Sequence, residues 1–577
     1  MAAINFGCVA RPIAANGRSY SEKKAKQNND FCEIEMSSIE SLMAHIRDSV
    51  IGERLPLATP FGVRPLVYAD YTASGRGLTF IEDIIRNRVL PWYANTHTET
   101  SATGRQTTAF REQARAMVRR SVNAGADHAV IFCGAGATAA INRLVDSLGL
   151  RADHYQRFGA EATKIPQARR PVVFIGPYEH HSNDLPWRES VADVVTIPQN
   201  VEGGVDLPAL EEALDLYSAR PLKIGSFSAA SNVTGIRTDV EAVTHLLHKH
   251  GALSFWDYAA AAPYVAIDAN GDGSATSKDA LFISPHKFVG GPGTPGILVV
   301  KKSLLPPEQP AIPGGGTVSW VGPDRHTYLP VGERREEAGT PAIVESVRAG
   351  LVFELKDEVG AEEIEAREAR WLDRAFARWK QNPDIEILGG TDLPRVGIVS
   401  LHILRDGKPL HHGFVVALLN DLFGIQVRGG CSCAGPYGHQ LLHLTPEQSE
   451  ALEQLVSEGE SILKPGWVRL NFNYFLNEET VDYLIEAIEI IADQGHRLLP
   501  YYQYDMEAGV WRYQGEAGEA PLRLELDAGA LAPTQKVQTP LRDYLQQALE
   551  ILRQPKGKEC EQPILSPEAE NLRWFNL

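Results

Sequence analysis

The sequence predicts an α/β protein: a large, doubly wound, mostly parallel sheet, followed by a smaller α+β domain. Three observations carry this. Short apolar runs alternate with helical segments several times between 128 and 300, which is how parallel strands and crossover helices read in a sequence. Asn232, Asp257 and Lys287 fall where three of those runs end, and open α/β sheets bind ligands at the carboxyl ends of their strands. After 341 the order changes to a long helical stretch, then strands interleaved with helices.

In chain order, 1–36 reads as a flexible tail and 37–67 as a segment joining the small domain. The large domain spans 68–330, the small one 331–495, and 496–577 is an extension with no assignable role. Residues 39–51 have helical spacing, with Ser37 or Ser38 as the cap. A short strand in 66–75 runs into a polar turn, and 80–93 is helical. The hydroxyl-rich stretch 95–110 suits a loop covering a site, and 110–122 is a charged amphipathic helix. Strand 128–133, turn 134–138 and helix 139–148 follow, then a polar, basic insertion at 151–170. Further strands end before Glu179, near 199, before Ser231 and at Asp257, with helices at 207–217 and 240–250, the second stopped by Gly251. Strands 281–283 and 297–300 flank a Gly/Pro-rich turn, 303–341 is a crossing between domains, and 342–379 is one long helix. The small domain has strands at 397–404, 425–428 and 467–473 and helices at 414–423, 448–463 and 478–492; a last helix covers 541–552.

A chain of 577 residues calls for two or more domains. Its net charge of −17 argues against nucleic acid and anionic membrane as partners. No apolar run reaches the roughly 18 residues of a membrane span. Six cysteines in so long a chain are no disulfide framework and point to a reducing, cytoplasmic setting. Organellar targeting by the basic tail is the weaker reading.

The stretch 281–300, LFISPHKFVGGPGTPGILVV, places Lys287 at the end of a buried strand, beside Ser284 and His286, on a loop that cannot be helical. Burial lowers a lysine's pKa and suits Schiff-base chemistry; the other reading is a strand-end lysine reaching water. Gly134 to Thr138 opens a helix, whose backbone N–H groups can cradle a phosphate. The same residues satisfy G-x-G-x-x-A, so a dinucleotide site and plain tight packing stay open. His180 and His181 raise the question of a metal, but no third ligand stands at suitable spacing, and one histidine at a strand end better serves to stack on a flat cofactor. Asp268, Asn270, Asp272 and Asp279 imitate a calcium loop without its flanking helices or closing Glu, and read as a solvated insertion.

The motifs follow one order: GAGATAAIN, EHHSN with Trp187 after it, SNVTG, WDYAAA, SPHK, GGGT, EAGTP, RGGCSCAGP and VRLNFNYFLNEET. With these, from about Tyr68 to about Ala492, the chain resembles the class V, fold-type I pyridoxal-phosphate enzymes, most closely the cysteine desulfurases and selenocysteine lyases. The resemblance implies a seven-stranded-type sheet, a pyridoxal 5'-phosphate cofactor and an amino-acid substrate. Lys287 would carry the cofactor as a Schiff base. Asp257 would pair with the pyridinium nitrogen and keep the ring an electron sink. His180 would stack on the ring and Asn232 bond its hydroxyl, while Ala137, Thr138, Ser284 and His286 would hold the phosphate. Thr340 would reach the phosphate of a neighbouring subunit, implying a homodimer with shared sites. Arg469 and Arg428 would clamp the substrate carboxylate. Cys433 would be the nucleophile, keeping sulfur as a persulfide, with alanine as product and a sulfur-acceptor protein downstream. Gly429 and Gly430 would make its loop mobile, and nearby arginines would favour the thiolate.

Two positions depart from the family pattern. Ala260 stands where a glutamine usually contacts the cofactor hydroxyl, leaving Asn232 to act alone. Cys431-Ser432 stands where a histidine pair precedes the cysteine, and Cys431 reads as a buried or redox-silent neighbour or half a metal site. Cys-x-Cys here is also similar to the sulfurase domain of molybdenum-cofactor sulfurases, whose further C-terminal domain is not expected in this sequence. The second reading is a class V epimerase, lyase or aminotransferase acting on another amino acid, with Cys433 incidental. The third is a non-catalytic scaffold, against which Lys287, Asp257 and His180 speak together. An NAD enzyme leaves Lys287 and Asp257 unexplained.

Overall fold

The computed structural model describes residues 38–96, 98–151, 165–515, 535–557 and 559–577. The tail expected over 1–36 and most of the insertion expected over 151–170 lie outside them.

Seven strands form the large sheet: β1 (His128–Cys133), β2 (Val172–Ile175), β3 (Asp193–Thr196), β4 (Lys223–Ser228), β5 (Leu253–Asp257), β6 (Ala280–Ile283) and β7 (Gly296–Lys301). Their order is β1-β7-β6-β5-β4-β2-β3. The strands β2 to β6 are mutually parallel, and β7 runs against both its neighbours. No crossover helix joins β6 to β7, and only an antiparallel pair can do without one. Both faces of the sheet are covered. Phe255 and Trp256, adjacent in β5 and fully buried, pack into separate cores on opposite faces, as the two-residue period of a strand requires.

The small domain carries a second sheet: β8 (Ile385–Ile387), β9 (Ile398–Arg405), β10 (Arg428–Gly430) and β11 (Trp467–Asn471), in the order β8-β9-β11-β10, all antiparallel. The extension after 495 folds onto this domain. It forms a hairpin, Tyr502–Asp505 with Val510–Tyr513, and a helix, Leu541–Arg553, that buries Leu541, Tyr544 and Leu552.

Several elements differ from the sequence reading. The stretch expected as a covering loop is largely helix, Ala102–Ser121. Its hydroxyls cap and staple that helix: Ser101 Oγ accepts from Gly104 N at 3.2 Å, and Thr107 Oγ1 donates to Trp92 O at 2.9 Å. The long helix expected over 342–379 is two, Ile343–Val359 and Ala361–Trp379, broken at Gly360 with φ +86°. The strand expected over 425–428 divides: Ile425–Gln426 pairs with Val67–Tyr68, and β10 pairs with β11. The helix expected over 448–463 stops at Ser457. The crossing at 303–341 contains a hairpin, Val318–Val321 with His326–Tyr328.

Glu337 ties the end of that crossing to the large sheet. Its carboxylate accepts from Arg111 Nη2 at 2.7 Å, from Arg115 Nη1 and Nη2 at 2.9 Å each, and from Phe132 N at 2.8 Å. Burial alone would raise this carboxyl, but the Arg115 and Arg111 charges reverse it and its pKa lies below the usual value. Removing one member of such a buried group leaves charge unpaired. Glu337→Gln is therefore expected to cost about 3 kcal/mol at neutral pH, read as a lower urea midpoint. A carboxyl depressed by folding stabilises above its unfolded pKa, so the gap between the two proteins should close as pH falls through its lowered folded value.

Candidate active site

A cleft of about 460 Å³ opens where the carboxyl edge of the large sheet meets the small domain. Its lining includes Ala137, Thr138, His180, Asn232, Asp257, Ser284, His286 and Lys287 from the large domain, and Arg428, Cys433 and Arg469 from the small one. The structure thus brings together every predicted site residue except Thr340. That residue is exposed, and its Oγ1 accepts from Asn95 Nδ2 at 3.3 Å.

Lys287 follows β6 through one 3₁₀ turn, Pro285–Lys287, where no helical turn was expected. Proline is tolerated at the start of such a turn because that N–H has no partner to lose. Gly291 lets the chain double back: a Cβ there would meet Pro285 O at 2.1 Å. Burial lowers the Lys287 amine to about 8; Asp257 resists the shift, and Arg469 and Arg428 add to it. Asp257 ends β5. Burial raises its carboxyl, opposed by the Ala259 N–H donated to Oδ1 at 2.8 Å and by the Lys287 charge. His180 is lowered to about 3 and His286 to about 4, in both cases by burial first and then by Lys287. Both imidazoles are neutral near pH 7. Ser182 N donates to His180 Nδ1 at 3.1 Å, which leaves the proton on Nε2.

Between β1 and the helix Gly136–Ser147 the backbone leaves room for an anion. Gly136 has φ +55°, and a Cβ there would stand 2.9 Å from Ser284 Oγ and 3.6 Å from His286 Nε2. Ser284 Oγ accepts from Ala137 N at 2.8 Å, and Thr138 Oγ1 lies 2.6 Å from Ser182 Oγ. On the opposite wall Ala260 lines the cleft, and the buried Oδ1 of Asn232 has no partner among the described residues.

Sequence reasoning missed Asp70. Arg428 Nε donates to its Oδ2 at 2.9 Å and Arg469 Nη2 to its Oδ1 at 3.2 Å, while Arg469 Nη1 reaches Asn232 O at 2.9 Å. Its signal was available: a carboxylate just past a short strand, as with Asp257. Glu179 was missed too. It accepts from Ser228 N at 2.8 Å, Ser228 Oγ at 2.6 Å and Asn183 Nδ2 at 2.6 Å, and burial raises it to about 7.

The cysteine turn, expected as a mobile loop, carries three hydrogen bonds to the large domain. Asn232 Nδ2 donates to Ser432 O at 2.7 Å, His181 N to Cys433 O at 2.8 Å, and Gly435 N to His181 Nε2 at 3.0 Å. Gly429 and Gly430 lie in β10; Gly429 packs closely, its Cβ position 2.7 Å from His412 Nδ1, and Gly430 has φ +112°. Cys431, read as buried or silent, is exposed, as is Cys433. Among the described residues no three His, Cys, Asp or Glu are grouped to hold a metal. Asp279, twelfth in the calcium-like series, is buried and accepts from Ser254 N at 2.8 Å.

Residues 67–484 match the family model described as aminotransferase class-V. The chain belongs to that family. Members of the class-V family are pyridoxal-phosphate enzymes. Among curated proteins this class-V chain is similar to a probable cysteine desulfurase of Streptomyces coelicolor, 29% identical over 375 residues, 64% of this chain and 84% of that protein. It is similar also to one of Vibrio cholerae, 28% identical over 433 residues, 74% and 94% of the two chains. Among solved structures it resembles the apo cysteine desulfurase of Thermococcus onnurineus, with TM-score 0.60, 22% identity, and 74% and 95% of the two chains covered, a likeness of fold.

Since Asp257 resists the lowering of Lys287, Asp257→Asn should bring that amine below about 8. The pH dependence of Lys287 labelling by an amine-reactive reagent, in cofactor-free protein, checks this. An unmoved midpoint would mean that the two groups are not coupled.

Proposed function

We propose that this chain is a pyridoxal-phosphate-dependent cysteine desulfurase that takes the sulfur of L-cysteine onto Cys433 and releases alanine. The observation that carries the reading is the meeting, in one cleft, of Lys287, Asp257 and His180 from one domain with Cys433 and two arginines from the other.

The donor set suits the cofactor. The space at Gly136, beside Ser284 and His286, is an anion cradle that a Cβ would fill, and Thr138 adds a hydroxyl. The orphaned Asn232 Oδ1 needs a donor, which a ring hydroxyl supplies. Lys287 would attach the group, Asp257 hold its ring nitrogen and His180 cover its face. When bound there, pyridoxal phosphate supplies an electron sink for charge developing at the substrate α-carbon.

The chain's own residues do the rest. Lys287 Nζ, lowered to about 8, can hold or release a proton near neutrality. Among the described residues Arg428 spends only Nε on Asp70, which leaves its η-nitrogens for the substrate carboxylate. Arg469, fixed by Asp70 and Asn232 O, completes the clamp. Cys433 Sγ attacks the substrate sulfur. An S–S bond forms as the S–C bond breaks, the electron pair stays with carbon, and a proton completes the alanine methyl group. The persulfide sits on an exposed turn that an acceptor protein can reach. Thr340 lies outside its own cleft, bonded to Asn95, and Leu90, Trp92 and Tyr93 nearby in sequence are exposed, which supports a homodimer in which Thr340 serves the partner's phosphate. No helix among the described residues is long and apolar enough to cross a membrane.

Given L-cysteine and a reductant, the wild-type protein should release alanine and sulfide, and Cys433→Ala neither. Lys287→Ala should lose the cofactor's visible absorbance. Equal alanine from Cys433→Ala, or none from a wild-type protein that keeps the absorbance, would overturn sulfur transfer in favour of a class-V epimerase or aminotransferase acting on another amino acid.

A further inference from the structure

The extension lies beyond the matched family region, yet its last residues pack behind His412, which backs onto the strand that leads into the cysteine turn. Asn576 N donates to Pro409 O at 2.8 Å, Phe575 is fully buried, and Trp574 Nε1 donates to Leu463 O at 3.0 Å. The Trp574 ring stacks on His412, with centroids 5.9 Å apart and planes 15° from parallel. The adjacent His411 is enclosed by Phe575 and Trp511, and its Nδ1 accepts from Trp511 Nε1 at 2.9 Å. His412 Nε2 donates to Lys464 O at 3.3 Å.

There is no slack between His412 and the cysteine turn. A Cβ at Gly429 would stand 2.7 Å from His412 Nδ1. A Cβ at Gly466 would stand 2.8 Å from His412 Cδ2 and 2.5 Å from Gly430 Cα. Gly430 directly precedes Cys431, and on the far side the turn is held by His181 and Asn232. The cysteine turn is thus bonded to the large domain on one side, and the strand before it backs onto His412 with Trp574 behind.

We propose that residues 572–577 are a strap that positions Cys433, with Trp574 a positioning residue acting through His412 and the Gly429–Gly430 backbone. What Cys433 does rests on the desulfurase reading; where it is held does not. Sulfur transfer needs Sγ in line with the substrate S–C bond, so a loosened turn slows the transfer and leaves substrate binding alone.

The test uses the full-length holoenzyme, comparing wild type, Trp574→Ala and Trp574→Phe. Alanine formation, cofactor absorbance and thermal midpoint are measured. Alkylation of Cys433 by iodoacetamide is followed by mass spectrometry in a Cys431→Ser background. Trp574→Ala should lower kcat about ten-fold with KM within about two-fold of wild type, and alkylate several times faster, with absorbance kept. Trp574→Phe, which keeps a ring on His412, should restore most of both. If the alanine protein fails to fold, Trp574→Leu takes its place. A folded variant with wild-type kcat and alkylation rate overturns the strap, as does a loss of kcat matched by loss of cofactor absorbance. Faster alkylation of Trp574→Ala than of wild type, with neither protein making alanine, would uphold the strap and sink the desulfurase reading.

Discussion

Two guanidinium groups stand directly opposite each other on neighbouring strands, Arg428 on β10 and Arg469 on β11. Like charges so placed repel, and Arg469 is buried to 3% exposure, where an unpaired charge costs several kcal/mol. Asp70 meets both charges with one carboxylate, and the Asn232 carbonyl takes Arg469 Nη1, which leaves Arg469 Nε without a partner among the described residues. The consequence is architectural. Asp70 comes from the segment before the large sheet, Asn232 from the loop after β4, and the arginines from the small domain. The need to neutralise two cations therefore sets how the domains meet, and the cleft is the space left between them.

That arrangement also governs the titratable groups. Lys287 faces a wall carrying two arginine charges, opposed first by Asp257 and then by Asp70. Burial and the positive wall lower the amine, and burial, with the Lys287 charge added to it, lowers His180 and His286 so that both are neutral. Asp257 is raised by the same burial and held back by its neighbours. Separating a buried acid from a buried base in this way, with neutral imidazoles beside them, is how one cleft holds a proton donor and acceptor near neutral pH.

What could be read from the sequence divides along physical lines. Most of strands β1 to β7 were legible as short apolar runs ended by polar residues, buried on both faces except at the edge strand β3. The lining residues were legible where they fall at strand ends, as Asp257 and Lys287 do. The first half of helix Ala102–Ser121 was not, because Ser101 and Thr107 look like loop residues until their cap and staple are seen; its second half was expected over 110–122. The break at Gly360 was hidden by strong helical pattern on both sides. Asp70 was overlooked because its role exists only once β10 and β11 are paired, across more than three hundred residues of chain. The two glycines before the turn do different work: at Gly429 a Cβ would strike His412, while Gly430 takes a backbone φ of +112° that favours glycine.

The backbone at the cysteine turn explains why so much structure converges on it. Ser432 and Cys433 have φ of +53° and +57°, a left-handed conformation that residues with a Cβ adopt at a cost of about 1–3 kcal/mol each. Such a pair persists only where its surroundings over-determine it. From the large domain, Asn232 and His181 bond to the two carbonyls of the strained residues themselves. From the small domain, β10 pairs the preceding glycines with β11, and His412 closes the space at Gly429. The extension adds the stacking and hydrogen bonds of Trp574 behind His412. A free turn would relax to ordinary φ and swing Sγ away. Holding the turn from both sides keeps Cys433 raised into the cleft, and the far end of the chain is placed where it can contribute to that hold.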